Sequence, residues 1–154
     1  MHIRTTIVAA IASLGITGIG LGDWGPLPVN LSNELTVTDS ENFGISVAID
    51  GDICVIGAQG NNSSTGSAYV FTKSGGSWSQ VTELTASGGA SYDYFGSKVA
   101  IDGDTCVIGA AGTNSYAGSA YVFTRSGGSW SQVAELTASD GASYDYFGSS
   151  IAID

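Results

Sequence analysis

Apolar and polar positions in this chain come in short bursts, and no stretch of useful length carries helical spacing. From residue 96 the pattern predicts four strand-length segments, at 96–102, 105–111, 118–125 and 130–138. The breaks are Asp102-Gly103-Asp104, the loop 112–117, and Ser126-Gly127-Gly128-Ser129, residues able to supply the positive φ angles of hairpins. Val99-Ala100-Ile101 and Cys106-Val107-Ile108 are continuous small apolar runs, as expected of strands covered on both faces. The fourth segment alternates from Trp130 to Leu136, which suits a half-exposed outer strand. Trp78 and Trp130 are expected near that outer rim. If either indole were fully buried, its loss would cost about 3–5 kcal/mol.

The same pattern stands 52 residues earlier. Residues 43–87 and 95–139 agree at 36 of 45 aligned positions, and a third copy opens at Phe147 with FGSSIAID. A period of this size points to a solenoid, a propeller or an array, and four short antiparallel strands per unit is one propeller blade. The expected fold is therefore all-β, a partial β-propeller of four-stranded antiparallel blades on a 52-residue repeat. Its parts are an outer strand at 34–38, blades at 43–87 and 95–139, and the first strand of a third blade at 147–154. Glu34-Leu35-Thr36-Val37 resembles Glu83-Leu84-Thr85-Ala86, the end of a fourth strand. Propellers close with about 4–8 blades, so further repeats beyond Asp154, or self-association, are expected.

Composition narrows the setting. Fourteen acidic residues against four basic ones give a net charge of −10, while only 12% of residues are charged and 23 are glycine. Such a surface repels phosphate backbones and anionic lipid, which excludes nucleic acid as a partner. The N-terminus has Arg4 and then an apolar run from Ile7 to Gly22, the layout of a signal peptide at 1–22. That run is too short for a stable membrane span. Residues 23–33, with both prolines, read as an extended leader. The expected location is outside the cell or on its surface.

Candidate chemistry is sparse. The sole histidine is His2, so the chain after the leader lacks the imidazole of Ser-His-Asp, Cys-His and histidine-ligated zinc sites. Asp50 and Asp52 recur as Asp102 and Asp104 at a turn in every unit, which marks structure rather than one catalytic pair. No catalytic residue, cofactor or metal site is expected. Cys54 and Cys106 hold equivalent positions in successive units. Stacked sheets lie about 10 Å apart, too far for a disulfide, so both should be free and buried.

Phe95-Gly96 followed by Val107-Ile108-Gly109-Ala110 resembles the FG-GAP repeat of the integrin α-subunit β-propeller and its bacterial relatives. The resemblance covers residues 34–154, with Gln59 and Ala111 standing where the motif's proline often falls. Calcium-binding members carry an elongated aspartate-rich loop between the first two strands. Here it is reduced to Asp50-Gly51-Asp52 and Asp102-Gly103-Asp104, too little to wrap the 6–8 oxygens calcium prefers. The family's ligands bind at loop faces, which directs attention to the linkers holding Tyr92-Asp93-Tyr94 and Tyr144-Asp145-Tyr146. Tyr92, Asp93, Tyr144 and Asp145 are the candidate contacts to an extracellular protein or glycan, while Tyr94 and Tyr146 are expected to pack into the blade junction. The resemblance implies a non-catalytic interaction module. Alternatives are an accessory propeller of a larger secreted enzyme, or a calcium-dependent adhesin.

Overall fold

The computed structural model describes residues 35–37 and 40–154. The signal peptide and leader expected at 1–33 lie outside the described residues. Among the described residues, eight strands form two sheets. β1 (Phe43–Asp50), β2 (Ile53–Ala58), β3 (Ser67–Ser74) and β4 (Ser77–Leu84) make the first, in the order β1-β2-β3-β4. β5 (Phe95–Asp102), β6 (Thr105–Ala110), β7 (Ser119–Ser126) and β8 (Ser129–Leu136) repeat it. All neighbours are antiparallel, and the registers of the two sheets are the same 52 residues apart. These are two blades of a partial propeller. Strand ends fall within a residue or two of the expected ones. The turns Asp50-Gly51-Asp52 and Asp102-Gly103-Asp104 close as tight hairpins, with φ of +52° and +53° at the glycines.

The second sheet packs on the first. Ile53, Val55, Val70 and Leu84 meet Phe95, Val99, Ile101, Cys106, Ile108 and Phe123 in one core spanning the junction. Every residue the second sheet gives to this core, from Phe95 to Phe123, has an identical counterpart 52 residues earlier. Those counterparts face the other way, and Leu35 and Val37 pack on them as Leu84 and Ala86 do at the junction. Leu35–Val37 thus take the place expected of the outer strand at 34–38, although these three make no strand pairing themselves.

The FG and IGA motifs meet at this junction, and backbone crowding explains both. A Cβ on Gly57 would lie 1.9 Å from the Gly96 carbonyl oxygen, and one on Gly96 would lie 2.2 Å from that of Ser67. Gly96 also holds φ at +87°, a region L side chains avoid. Glycine on each side lets the start of one blade lie directly on the inner strand of the blade before. Phe95 then fills the core edge-on to Tyr121 at 5.5 Å and Phe123 at 5.9 Å.

Burial differs between equivalent positions according to whether a neighbouring sheet covers them. Leu84 is 4% exposed under the second sheet, whereas Leu136 is 44% exposed. Val47 and Ile49 are exposed on β1, whereas Val99 and Ile101 are buried on β5. The expectation that first strands are covered on both faces therefore holds for β5 and not for β1.

The segment 147–154 departs from the strand expected there. Phe147 bridges Gly118 as Phe95 bridges Gly66, and the Gly148 carbonyl lies 2.2 Å from where a Cβ on Gly109 would sit. The segment is thus laid on the second sheet as β5 is laid on the first. It forms no ladder beyond that bridge.

The loop 112–117 also departs from expectation. It holds the helical turn Thr113–Tyr116, matched by Asn61–Ser64. Asn62, Ser63 and Ser64, like Asn114, Ser115 and Tyr116, have φ between +49° and +67°. Three successive non-glycine residues in this region are costly, about 1–2 kcal/mol each. What offsets the cost is the direction in which the last two of each set, and the residue after them, turn their carbonyls. Ser63, Ser64 and Thr65 accept from the amides of Tyr92, Tyr94 and Phe95 at 3.3, 2.9 and 3.0 Å, and Ser115, Tyr116 and Ala117 do the same for Tyr144, Tyr146 and Phe147. Each turn thereby holds the linker to the next unit.

The indoles lie less deep than full burial would require. Trp78 and Trp130 are half-buried, with Lys73 and Arg125 set 6.0 and 5.9 Å from their ring centres on the paired strand. The alanine cost for either falls below the full-burial figure accordingly.

Cys54 and Cys106 are free and buried. Burial pushes their thiols up from about 9 to about 11 and about 12. Because the raised values belong to the folded state, the unfolded chain loses these protons first as pH rises. The stability they carry is complete below about pH 9 and falls towards pH 11–12, by about 1.4 kcal/mol per pH unit for each thiol. The urea midpoint is expected to drop between pH 8 and pH 10.5, with both thiols resisting iodoacetamide in the native state and reacting in urea. An unchanged midpoint, or a cross-linked Cys54–Cys106 pair by mass spectrometry, would contradict this packing.

Candidate functional site: the tyrosine-lined loop face

The linkers run past the left-handed turns, and the bonds between them gather tyrosines at one end of the blades. Tyr92 and Tyr144 are 61% and 66% exposed, and Tyr146 is 43% exposed. Both candidate contacts, Tyr92 and Tyr144, are thus open to solvent. Of the pair expected to pack into the junction, Tyr94 is half-buried beside Gly112 but outside the junction core, and Tyr146 is the more open.

Tyr116 joins these rings together, and its role was not read from the sequence. It stacks on Tyr144 at 5.7 Å with 10° between planes, lies 6.4 Å from Tyr94 and 5.6 Å from Tyr146. Tyr92 and Tyr94 stand edge-on at 6.4 Å. The result is a run of five tyrosines across both linkers. A hydrogen bond with Tyr116 raises the Tyr94 hydroxyl above its ordinary value, with burial and nearby phenols adding to it. A signal for Tyr116 existed: the first unit has Ser64 at that position.

The two aspartates are differently placed. Asp93 is buried, and its Oδ2 accepts from the Ala90 amide at 2.7 Å, closing its own loop. Asp145 makes the same bond to the Ala142 amide at 2.7 Å but stays exposed. Asp93 is thus a loop-closing residue rather than an open contact, because an inward carboxylate satisfies an amide that the tight linker leaves without a partner. The turn carboxylates are also engaged. Asp50 accepts from the Gly103 amide of the next unit at 2.7 Å, and Asp104 accepts from Arg125 Nε at 2.6 Å. Among the described residues no three His, Cys, Asp or Glu side chains converge.

A second polar cluster links β3 to β4 and β7 to β8. Glu83 accepts from Ser67 Oγ at 2.6 Å, and Glu135 accepts from Ser119 Oγ at 2.9 Å and the Tyr121 hydroxyl at 3.1 Å. Burial, followed by the Glu135 charge, pushes the Tyr121 phenol up to about 12. These bonds tie the outer strand of each blade to its neighbour, with both carboxylates exposed at the surface. Asn61, which begins an N-x-S pattern, gives its amide to Ser67 at 2.9 Å and Tyr69 at 3.1 Å.

Blades of four antiparallel strands, joined by a Phe-Gly corner seated on an Ile-Gly-Ala strand, define a propeller-repeat protein. The FG-GAP repeat model matches at residues 37–71, 78–123 and 130–154, and the chain belongs to this family. The second match starts in β4 and ends in β7, so the family's unit takes its outer strand from the preceding blade. The family's repeats serve as binding or structural modules and are typical of extracellular and cell-surface proteins. No curated protein matches the chain. No helix among the described residues is long and apolar enough to cross a membrane.

Proposed function

We propose that this chain is a non-catalytic, exported propeller segment that binds a protein or glycan at the cell surface or outside the cell. The observation that carries the reading is the exposed tyrosine run on the loop face. Tyrosine presents a large, rigid, amphipathic contact at low entropic cost and is enriched where proteins bind partners. Tyr92 and Tyr144 are its most open members, and the Asp145 carboxylate lies beside Tyr144 in the chain.

The exposed faces of the two sheets support a further part of the proposal. Val47, Ile49 and Leu136 repeat residues that are buried at the junction. Additional 52-residue units, or second copies of the chain, cover these faces in the working assembly, because like surfaces accept like partners.

The test is a screen of the 154-residue chain against extracellular glycans and surface proteins, with Tyr92→Ser/Tyr144→Ser alongside. Binding that drops at least tenfold in the double variant is expected. Absence of any ligand, or a ligand indifferent to both tyrosines, would remove this reading.

A further inference from the structure

The two full units are near copies, so the places where they differ carry information. Four of their nine differences fall within one seven-residue turn: Gln59/Ala111, Asn61/Thr113, Ser64/Tyr116 and Thr65/Ala117. Two of these change the surface together. In the first unit the Thr65 methyl lies 3.1 Å from where a Cβ on Gly89 would sit, filling the gap between turn and linker. In the second unit Ala117 stands there, and no side chain of the turn approaches Gly141 in the same way. A cleft of about 280 Å³ opens at this place, lined by Asn114, Ala117, Gly118, Thr137, Gly141 and Ser143 among others. Ser64/Tyr116 supplies the ring that unites the tyrosine run. No tyrosine lines the cleft itself, but Tyr116 directly precedes Ala117 and Tyr144 directly follows Ser143, so stack and cleft are built from adjacent residues of the same turn and linker.

From this we infer that the turn at 112–118 and the linker at 137–144 form a saccharide site specific to the second unit, taking a neutral sugar ring. The inference rests on the binding-module reading and specifies its ligand. The cleft is lined without a charged side chain. An ionic group entering it would lose water without gaining a counter-charge, and the net charge of −10 repels anions in addition. Asn114 both donates and accepts, as do the hydroxyls of Thr137, Ser143 and the tyrosines, which matches the hydroxyls on a sugar's rim. The apolar C–H face of a sugar ring finds its counterpart in an exposed phenol ring. The turn is also preorganised: the left-handed Ser115 and Tyr116, and Ala117 after them, are held by bonds from the linker amides rather than by a ligand.

The test is calorimetric titration of the 154-residue chain with chitotriose, cellotriose, mannotriose and lactose, and with a sulfated heparin oligosaccharide and a tyrosine-free peptide as controls. Tyr116→Ser/Ala117→Thr gives the second unit the residues of the first, a turn this fold already accommodates, so the variant is expected to fold and its circular dichroism checks that. At least one neutral saccharide is expected to bind with a Kd of about 1 mM or tighter, and the double variant is expected to weaken it at least tenfold. Ala117→Thr alone, which refills the cleft and leaves every tyrosine in place, should weaken it as well. Equal binding by the folded double variant overturns the site while leaving a glycan-binding module standing. Binding to the sulfated saccharide or a protein ligand alone overturns the neutral-sugar inference and keeps the module. No binding to any glycan or surface protein removes both.

Discussion

Replacing Gly96 with alanine is expected to destabilise the chain by about 3–5 kcal/mol, enough to remove most of the stability of an ordinary domain. Two effects add. The new Cβ would sit 2.2 Å from the Ser67 carbonyl oxygen and 3.1 Å from the Ala58 amide nitrogen, so backbone of one sheet must move against the other. An alanine would also have to hold φ at +87°. Gly127→Ala is the control. That hairpin glycine has a φ of +58° but nothing within 4 Å of its would-be Cβ, so it should cost only about 1 kcal/mol. Urea denaturation of both variants separates crowding from conformational strain. Equal costs would mean that the two sheets do not approach as closely as described.

The phenylalanine before that glycine gives the second large effect. Phe95 is fully buried against Tyr121 and Phe123, whereas Phe147, the same motif residue one unit later, is half-buried. Phe95→Ala is expected to cost about 3–5 kcal/mol, the range for emptying a packed aromatic site. Phe147→Ala should cost about 1 kcal/mol, since the ring already meets water and its site can relax. Chemical denaturation measures both. Similar losses would show that motif identity, and not the covering sheet, sets the contribution.

Much of the architecture was legible because the repeat and the turn residues reinforce each other. Asp-Gly-Asp and Ser-Gly-Gly-Ser mark hairpins wherever they occur, and the 52-residue spacing turns two weak readings of each strand into one strong one. The backbone of the loop 112–117 was not legible. The left-handed angles through Asn114, Ser115 and Tyr116 turn the carbonyls of Ser115, Tyr116 and Ala117 towards the amides of the next linker, a tertiary demand that local propensity does not encode. The bond of Asp93 is local, to the Ala90 amide three residues back, and Asp145 repeats it in the open. Tyr92 and Tyr144 could be selected from the linker sequence, yet Tyr116 stands 24 residues from Tyr92 and 28 from Tyr144, and only packing unites them. The indoles sit on the outer strands as the alternation there implies, but that alternation does not encode their depth, which is half-buried beside Lys73 and Arg125.

The central claim is that the two blades are one folded body with a shared core across the Phe-Gly junction. Trp78 reports on the first blade and Trp130 on the second, each from its outer strand. The most direct test is urea unfolding followed by fluorescence of two single-tryptophan variants in a Trp24→Phe background, one with Trp78→Phe and the other with Trp130→Phe. Normalised to the stability of each variant, the fluorescence transition should coincide with that followed by circular dichroism, since Ile53, Val55 and Leu84 cannot lose their cover without releasing Phe95, Val99 and Ile108. A first blade that stays folded through the transition of the second, or the reverse, would contradict the shared core.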